Sequence, residues 1–291
     1  MSPVISALSE ISHRYDVLFC DLWGCLHNGV AVFPEAVSAL TAFREQGGTV
    51  VLVTNSPRPR GSVKTQLKGL GAPDGCYDAI ATSGDAAQAA MAAGLYGRRI
   101  FHIGPERDMP FFTDEAGQPI DVERVAIEEA EGIVCTGLYD DRTETPEDYR
   151  LIIARGVNRG LKMLCANPDV IVDVGEMRIY CAGAIAEAYT AAGGTAHYYG
   201  KPHAPIYQLA RQRAEEARGE EVKDAHILCI GDGINTDIRG AVGEGLDSLF
   251  IAGGLAAEET GMANGQPDPA KVETFLTNAK MSVTATIGFL R

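Results

Sequence analysis

Several strand-length runs in this chain are apolar from end to end: VLFC at 17–20, VVLV at 50–53 and ILCI at 227–230. A strand that faces water on one side alternates polar and apolar residues, whereas a continuous apolar run must be buried on both faces. Helical patterns stand between such runs. PEAVSALTAFREQG (34–47) opens with proline and closes with glycine, the order helices favour at their ends. A further helical stretch runs to about Gly69, and AIATS (79–83) precedes the alanine-rich DAAQAAMAAG. Strand, helix, strand, helix in this order calls for a parallel sheet with helices packed on both faces.

The middle of the chain reads differently. RRIFHIG, GIVCTG and KMLCAN are strand-like, but the acidic DVERVAIEEAEG and the loop LYDDRTETPEDYR lie among them. The alternation then resumes with an alanine-rich helix (182–192), HYYGKP, a long charged helix (204–218), HILCIGD, a helix near 237–244 and SLFIAGG. This pattern predicts a core of residues 1–84 and 179–291, with a second α/β unit inserted at 85–178.

A chain of 291 residues, 46% hydrophobic and 22% charged, has the composition of a water-soluble globular protein. No apolar run approaches the roughly 18–20 residues needed to cross a bilayer. The start, MSPVISALSEISHRYD, carries Glu10 and lacks a basic segment followed by an apolar one, so it does not read as a signal peptide. A cytoplasmic location is expected. The net charge of −14 repels nucleic acid and anionic lipid, and neither is expected as a partner. Seven cysteines form no CxxC pair and four lie in apolar runs, so they read as buried thiols in a reducing compartment. The six histidines show no zinc-type spacing such as HExxH.

Four predicted strands end on a polar group: FCD at Asp21, LVTN at Thr54 and Asn55, YYGKP at Lys201, and CIGDGINTD at Asp232 and Asp237. In an open α/β sheet, ligands bind beyond the carboxyl ends of the strands. If these strands share one parallel sheet, the four groups converge on one crevice. Taken singly, each is an ordinary turn, cap or solvated loop residue. Together they are the parts of a phosphoryl-transfer site. Asp21 and Asp232 suit a shared Mg²⁺, Lys201 supplies a positive charge, and Thr54 and Asn55 offer a hydroxyl and an N–H. Gly24 lets the backbone approach a ligand closely.

These motifs resemble those of the haloacid dehalogenase-like (HAD) superfamily, most closely its class IIA, NagD-like phosphatases. DLWGCLHNG is similar to the first motif, LVTN to the second, GKP to the third and GDGINTDIRGA to the fourth; CANPDVIVDVG…CAGAIAEAYTAAGG also resembles that subclass. The resemblance implies a Rossmann-like, doubly wound parallel α/β core with an inserted α/β cap that selects the substrate. It implies that Asp21 is the nucleophile and that Lys201 orients it and the phosphate. Thr54 and Asn55 would bind phosphoryl oxygens. The implied Mg²⁺ ligands are Asp21, the Trp23 backbone carbonyl and Asp232, with Asp237 supporting the metal site. The expected activity is Mg²⁺-dependent hydrolysis of a small phosphorylated metabolite, a sugar phosphate or nucleotide, through an aspartyl-phosphate. The oligomeric state stays open, a homo-oligomer included.

One position departs from that family. Its phosphatases carry a second aspartate two residues after the nucleophile, to protonate the leaving alcohol and then activate water. Here that place is Trp23, the sole tryptophan, whose indole is neither acid nor base near neutral pH. His27 is the nearest titratable side chain in sequence, with a structural role as its alternative. The departure opens two further readings: an acid-free HAD enzyme such as a dehalogenase, or a non-catalytic phosphate-ligand-binding protein. Arg58 and Arg60 in NSPRPRG, and the loop Tyr139–Arg142, read either as substrate contacts or as solvated surface.

Overall fold

A computed structural model describes every residue except Met1, Glu115, Gly175 and Glu176. The chain divides into two compact units, Met1–Thr54, Lys64–Ala81 and Lys201–Arg291 forming the first, and Asn55–Val63 and Thr82–Gly200 the second.

The first unit holds a seven-stranded sheet. Its order is Val4–Ile5, Ala285–Ile287, Asp247–Ile251, Ile227–Gly231, Val17–Cys20, Thr49–Thr54 and Ala79–Thr82. Neighbours among the first six of these strands run parallel. Cys20 stands opposite Ile230 on one side and Leu52 on the other. From Val17–Cys20 the chain moves outward to Thr49–Thr54, and it returns to the other flank as Ile227–Gly231. That reversal of strand order is where a parallel sheet opens a crevice beyond its carboxyl ends.

The wholly apolar runs are buried as their composition requires. Every residue of Val17–Cys20 and of Ile227–Gly231 is buried. One face is covered by the helix Ala204–Arg218, whose Ile206, Tyr207, Ala210 and Ala214 pack on Val17, Phe19, Val51 and Cys229. Their spacing is that of a single helical stripe. Pro205 sits in the first turn, and Gly219, at φ +73°, ends the helix with its N–H donating to the Glu215 carbonyl at 2.7 Å. Burying each large apolar side chain stabilises the fold by about 1.5–3 kcal/mol. A second cluster joins Phe250 and Ala252 to Ile238, Val272 and Leu276.

The second unit has its own five-stranded parallel sheet, in the order Thr195–Tyr198, Lys162–Cys165, Gly132–Cys135, Arg99–Ile103 and Glu123–Arg124. An antiparallel pair, Ile171–Val174 with Met177–Tyr180, stands beside it in sequence. Gly175, in the stretch CANPDVIVDVG, lies outside the described residues. The boundaries differ from the expected 85–178. The helix Ala182–Ala191 buries Ala182, Ile185, Ala186 and Tyr189 with the second unit's Ile133, Met163 and Cys165. Thr195–Tyr198 pairs with Lys162–Cys165. Residues 179–200 therefore belong to the second unit, because their apolar face and free strand edge are satisfied there. The strand before Lys201 accordingly lies outside the seven-stranded sheet, although Lys201 itself belongs to the first unit. All seven cysteines are buried and free.

Candidate active site

Asp21 is the first residue past Val17–Cys20, and its N–H donates to the Ile230 carbonyl at 2.9 Å, extending the ladder by one rung. Asp232 is the first residue past Ile227–Gly231. The two strands are neighbours, so their carboxylates arrive side by side. One oxygen of each and the sulfur of Cys25 all lie within 4.8 Å of one another.

Two glycines make room for Asp232. A Cβ on Gly24 would stand 2.3 Å from Asp232 Oδ2, and one on Gly254 would stand 2.1 Å from it. Gly24 also has φ +76°, a conformation other residues adopt at a cost. Asp232 Oδ2 accepts from the Leu255 N–H at 3.0 Å.

Lys201 is buried with its Nζ 2.6 Å from Asp21 Oδ1 and 2.7 Å from Asp237 Oδ1. Asp237 Oδ2 accepts from the Gly233 N–H at 3.1 Å and the Thr236 hydroxyl at 3.3 Å. A single π-helical turn, Ile234–Ile238, presents Asp237 there. Gly231 permits the fit, since a Cβ on it would lie 2.1 Å from Asp237 Cγ. Asp237, expected to support the metal site, thus has its two oxygens engaged by Lys201 and by the turn that leads into it.

Asp21 and Asp237 flank the Lys201 ammonium, and Asp232 stands beside Asp21, so three carboxylates share one cation. Burial, with Asp237 adding and Lys201 opposing, pushes the Asp21 carboxyl well above its ordinary value. Burial and Asp237 push Asp232 up to about 7. Burial alone would lower Lys201, but Asp21 and Asp237 outweigh it and hold the ammonium well above its usual range. The ionised cluster carries two more negative charges than positive ones. A divalent, oxygen-seeking cation between Asp21 and Asp232 matches that deficit in charge and in donor chemistry.

The other singled-out residues fall as follows. Thr54 ends its strand two residues beyond Leu52, the partner of Cys20. Asn55 belongs to the second unit, where its amide donates to Asp169 Oδ1 at 2.8 Å. Trp23 is 38% exposed, edge-on to His27 with ring centroids 5.5 Å apart. Gly29, at φ +84°, passes so close that its Cβ would stand 2.4 Å from the indole. His27 is buried, and its Nδ1 accepts from the Gly29 N–H at 3.1 Å. Burial lowers its pKa to about 4, so it is a neutral loop anchor at neutral pH and not a ready proton donor. In the second unit, burial lowers the pKa of Arg58, with Asp108 opposing. The Arg60 N–H there donates to Asp85 Oδ1 at 3.0 Å. Asp140 accepts from the Arg142 N–H and the Thr143 hydroxyl, at 3.1 and 2.8 Å, and Asp141 pairs with Arg107.

Sequence reasoning missed Cys25, Gly254 and Leu255. The glycine pair following the apolar SLFIA run is the one signal in sequence that a backbone passes close by there, and nothing in it points to Asp232.

The sequence profile described as haloacid dehalogenase-like hydrolase matches residues 18–117, and a second, HAD-hydrolase-like profile matches residues 198–277. A solved haloacid dehalogenase-like hydrolase from Brucella suis 1330 is 45% identical, with 99% of this chain and 100% of that one covered at a TM-score of 0.85. A glycerol phosphate phosphatase from Mycobacterium tuberculosis, solved with magnesium, is 24% identical over 90% of this chain and 74% of its own, at a TM-score of 0.66. Dihydroxyacetone phosphatase from Corynebacterium glutamicum (strain R) is 30% identical over 98 residues, a match spanning 33% of this chain and 34% of that relative.

Proposed function

Because the chain belongs to the haloacid dehalogenase-like hydrolase family, we propose that it is a Mg²⁺-dependent phosphatase of a small phosphorylated metabolite, acting through Asp21. The observation that carries this reading is the pairing of Asp21 with Lys201 at 2.6 Å in a site whose ionised carboxylates exceed its cations. Lys201 gives Asp21 a counter-charge, and the remaining carboxylates leave room, in charge, for a divalent cation that would favour the ionised form of Asp21.

Asp21, Asp232 and the Trp23 carbonyl would hold Mg²⁺. When bound, the ion neutralises the oxygens of the transferring phosphoryl group. An Asp21 oxygen forms a bond to phosphorus as the ester P–O bond breaks, and the leaving oxygen takes that bond's electron pair. Lys201 orients Asp21 and offers its charge to the phosphoryl group. Asp237 has a positioning role, fixing Lys201 from the far side. Thr54 and Asn55 would bind phosphoryl oxygens. Water then attacks the aspartyl-phosphate, releasing phosphate and restoring Asp21. The inserted second unit is read as the substrate-selecting cap.

Relatives that act on dihydroxyacetone phosphate and glycerol phosphate favour a small sugar or polyol phosphate as the substrate class. A dehalogenase is disfavoured, because a halocarboxylate reaction has no use for Asp232 and Asp237. The test is phosphate release from a panel of phosphometabolites, with and without Mg²⁺. Release that needs Mg²⁺ and is lost in Asp21→Asn supports the reading. Binding of phosphometabolites without turnover would replace it with a phosphate-ligand-binding role.

A further inference from the structure

The Cys25 thiol is 1% exposed and has no hydrogen-bond partner among the described residues. Its sulfur lies within 4.8 Å of one oxygen of Asp21 and one of Asp232. Two donors on one tetrahedral Zn²⁺, at bonds of about 2.0–2.3 Å, stand roughly 3.3–3.8 Å apart. A shared ion would therefore draw the three atoms together by no more than about 1.5 Å.

The donor set is mixed, and that decides which cation uses all of it. Mg²⁺ takes oxygen ligands and leaves a neutral thiol aside. Zn²⁺ and Cd²⁺ accept thiolate sulfur together with carboxylate oxygen. We infer that Asp21, Cys25 and Asp232 form a site for a thiophilic divalent cation, Zn²⁺ or Cd²⁺, which competes with Mg²⁺ and silences the nucleophile. On binding, the Cys25 S–H bond breaks, a metal–sulfur bond forms and the proton leaves to solvent. No electron transfer is involved. The Asp21 carboxylate becomes a ligand of an ion held also by sulfur and is withdrawn from attack. Cys25 thus sets metal discrimination, apart from the proposed hydrolysis itself. The inference rests on the reading that Asp21 and Asp232 share a cation.

The experiment titrates the metal-free full chain with Cd²⁺ and follows the ultraviolet thiolate-to-metal charge-transfer absorption, with Mg²⁺ binding measured separately by calorimetry. Wild type should develop one equivalent of this absorption, and excess Mg²⁺ should reverse it. Cys25→Ser should lose the absorption and bind Cd²⁺ more weakly by more than the roughly 10–100-fold that loss of an outer-shell partner costs, since a direct ligand is removed. Its Mg²⁺ affinity should stay within about threefold of wild type, since the thiol is no ligand for Mg²⁺. Cys25→Thr, which fills the space differently, guards against a folding defect in the serine variant. Equal Cd²⁺ absorption in wild type and both variants, or absorption that Mg²⁺ does not reverse, would overturn the inference while leaving the Mg²⁺ reading intact. Failure of wild type to bind either ion would overturn both.

Discussion

A Cβ on Gly24 would stand 2.3 Å from Asp232 Oδ2, so the turn after Asp21 is packed against the carboxylate that follows the neighbouring strand. Gly24→Ala meets two penalties. A non-glycine residue at φ +76° costs about 1–2 kcal/mol, and the methyl displaces Asp232. The expected outcome is a modest loss of stability in urea titrations with a larger loss of Mg²⁺ affinity by calorimetry. Unchanged Mg²⁺ affinity would mean that Asp232 is not a ligand.

Lys201→Met removes the ammonium between Asp21 and Asp237 and leaves two buried carboxylates facing each other. Breaking a buried ion pair in this way costs about 3–5 kcal/mol. Adding Asp237→Asn should restore part of the stability, because one of the unpaired charges is gone, but should not restore turnover. Denaturant midpoints and initial rates of the single and double variants check both halves of the prediction.

Asp21→Asn keeps the shape of the side chain and removes its attacking charge. Hydrolysis should be abolished with the circular dichroism spectrum unchanged. Beryllium fluoride should bind wild type in the presence of Mg²⁺ and fail to bind the variant. Undiminished turnover by Asp21→Asn would rule out the aspartyl-phosphate route.

On the proposed route, with no aspartate at position 23, the leaving oxygen would depart as an anion. His27 is disfavoured as the proton source, since its Nδ1 accepts a hydrogen bond and burial lowers its pKa to about 4. Aryl and acyl phosphates should be hydrolysed faster than alkyl phosphates by a margin within the roughly 10²–10⁴ that general acid catalysis contributes. Trp23→Asp should narrow that margin. The indole is 38% exposed, so its loss leaves no closed cavity. Rates across esters graded by leaving-group pKa decide the point, and a flat dependence with chemistry rate-limiting would show that another group donates the proton.

His27 also sets a pH dependence of stability. Its pKa in the fold is about 4, against 6.5 for a free histidine. Between those values the unfolded chain binds the proton and the folded chain does not, so stability falls as pH drops from about 6.5 to about 4. His102 in the second unit, lowered also to about 4 by burial with Arg124 adding, contributes in the same direction. His27→Gln should flatten part of the slope of melting temperature against pH in this window.

The candidate site residues were legible in sequence because strand-end positions are local information. A continuous apolar run must be a buried strand, and the residue after it must emerge at the sheet edge. Asp21, Thr54 and Asp232 each follow from that rule alone. Lys201 is the exception. The strand before it, Thr195–Tyr198, pairs in the other sheet, so its place beside Asp21 could not follow from a shared sheet. Which unit takes residues 179–200 depends on the match between the alanine-rich helix and the apolar face offered by Ile133 and Met163, residues distant in sequence. The same distance hid the placement of the Cys25 thiol, the approach of Gly254 to Asp232 and the choice of Asp237 as partner to Lys201. Sequence by itself determined which side chains emerge at strand ends, because burial of an apolar run is a property of the run. Only tertiary structure decided which of them touch, because contact depends on strand order, register and the space glycine leaves open.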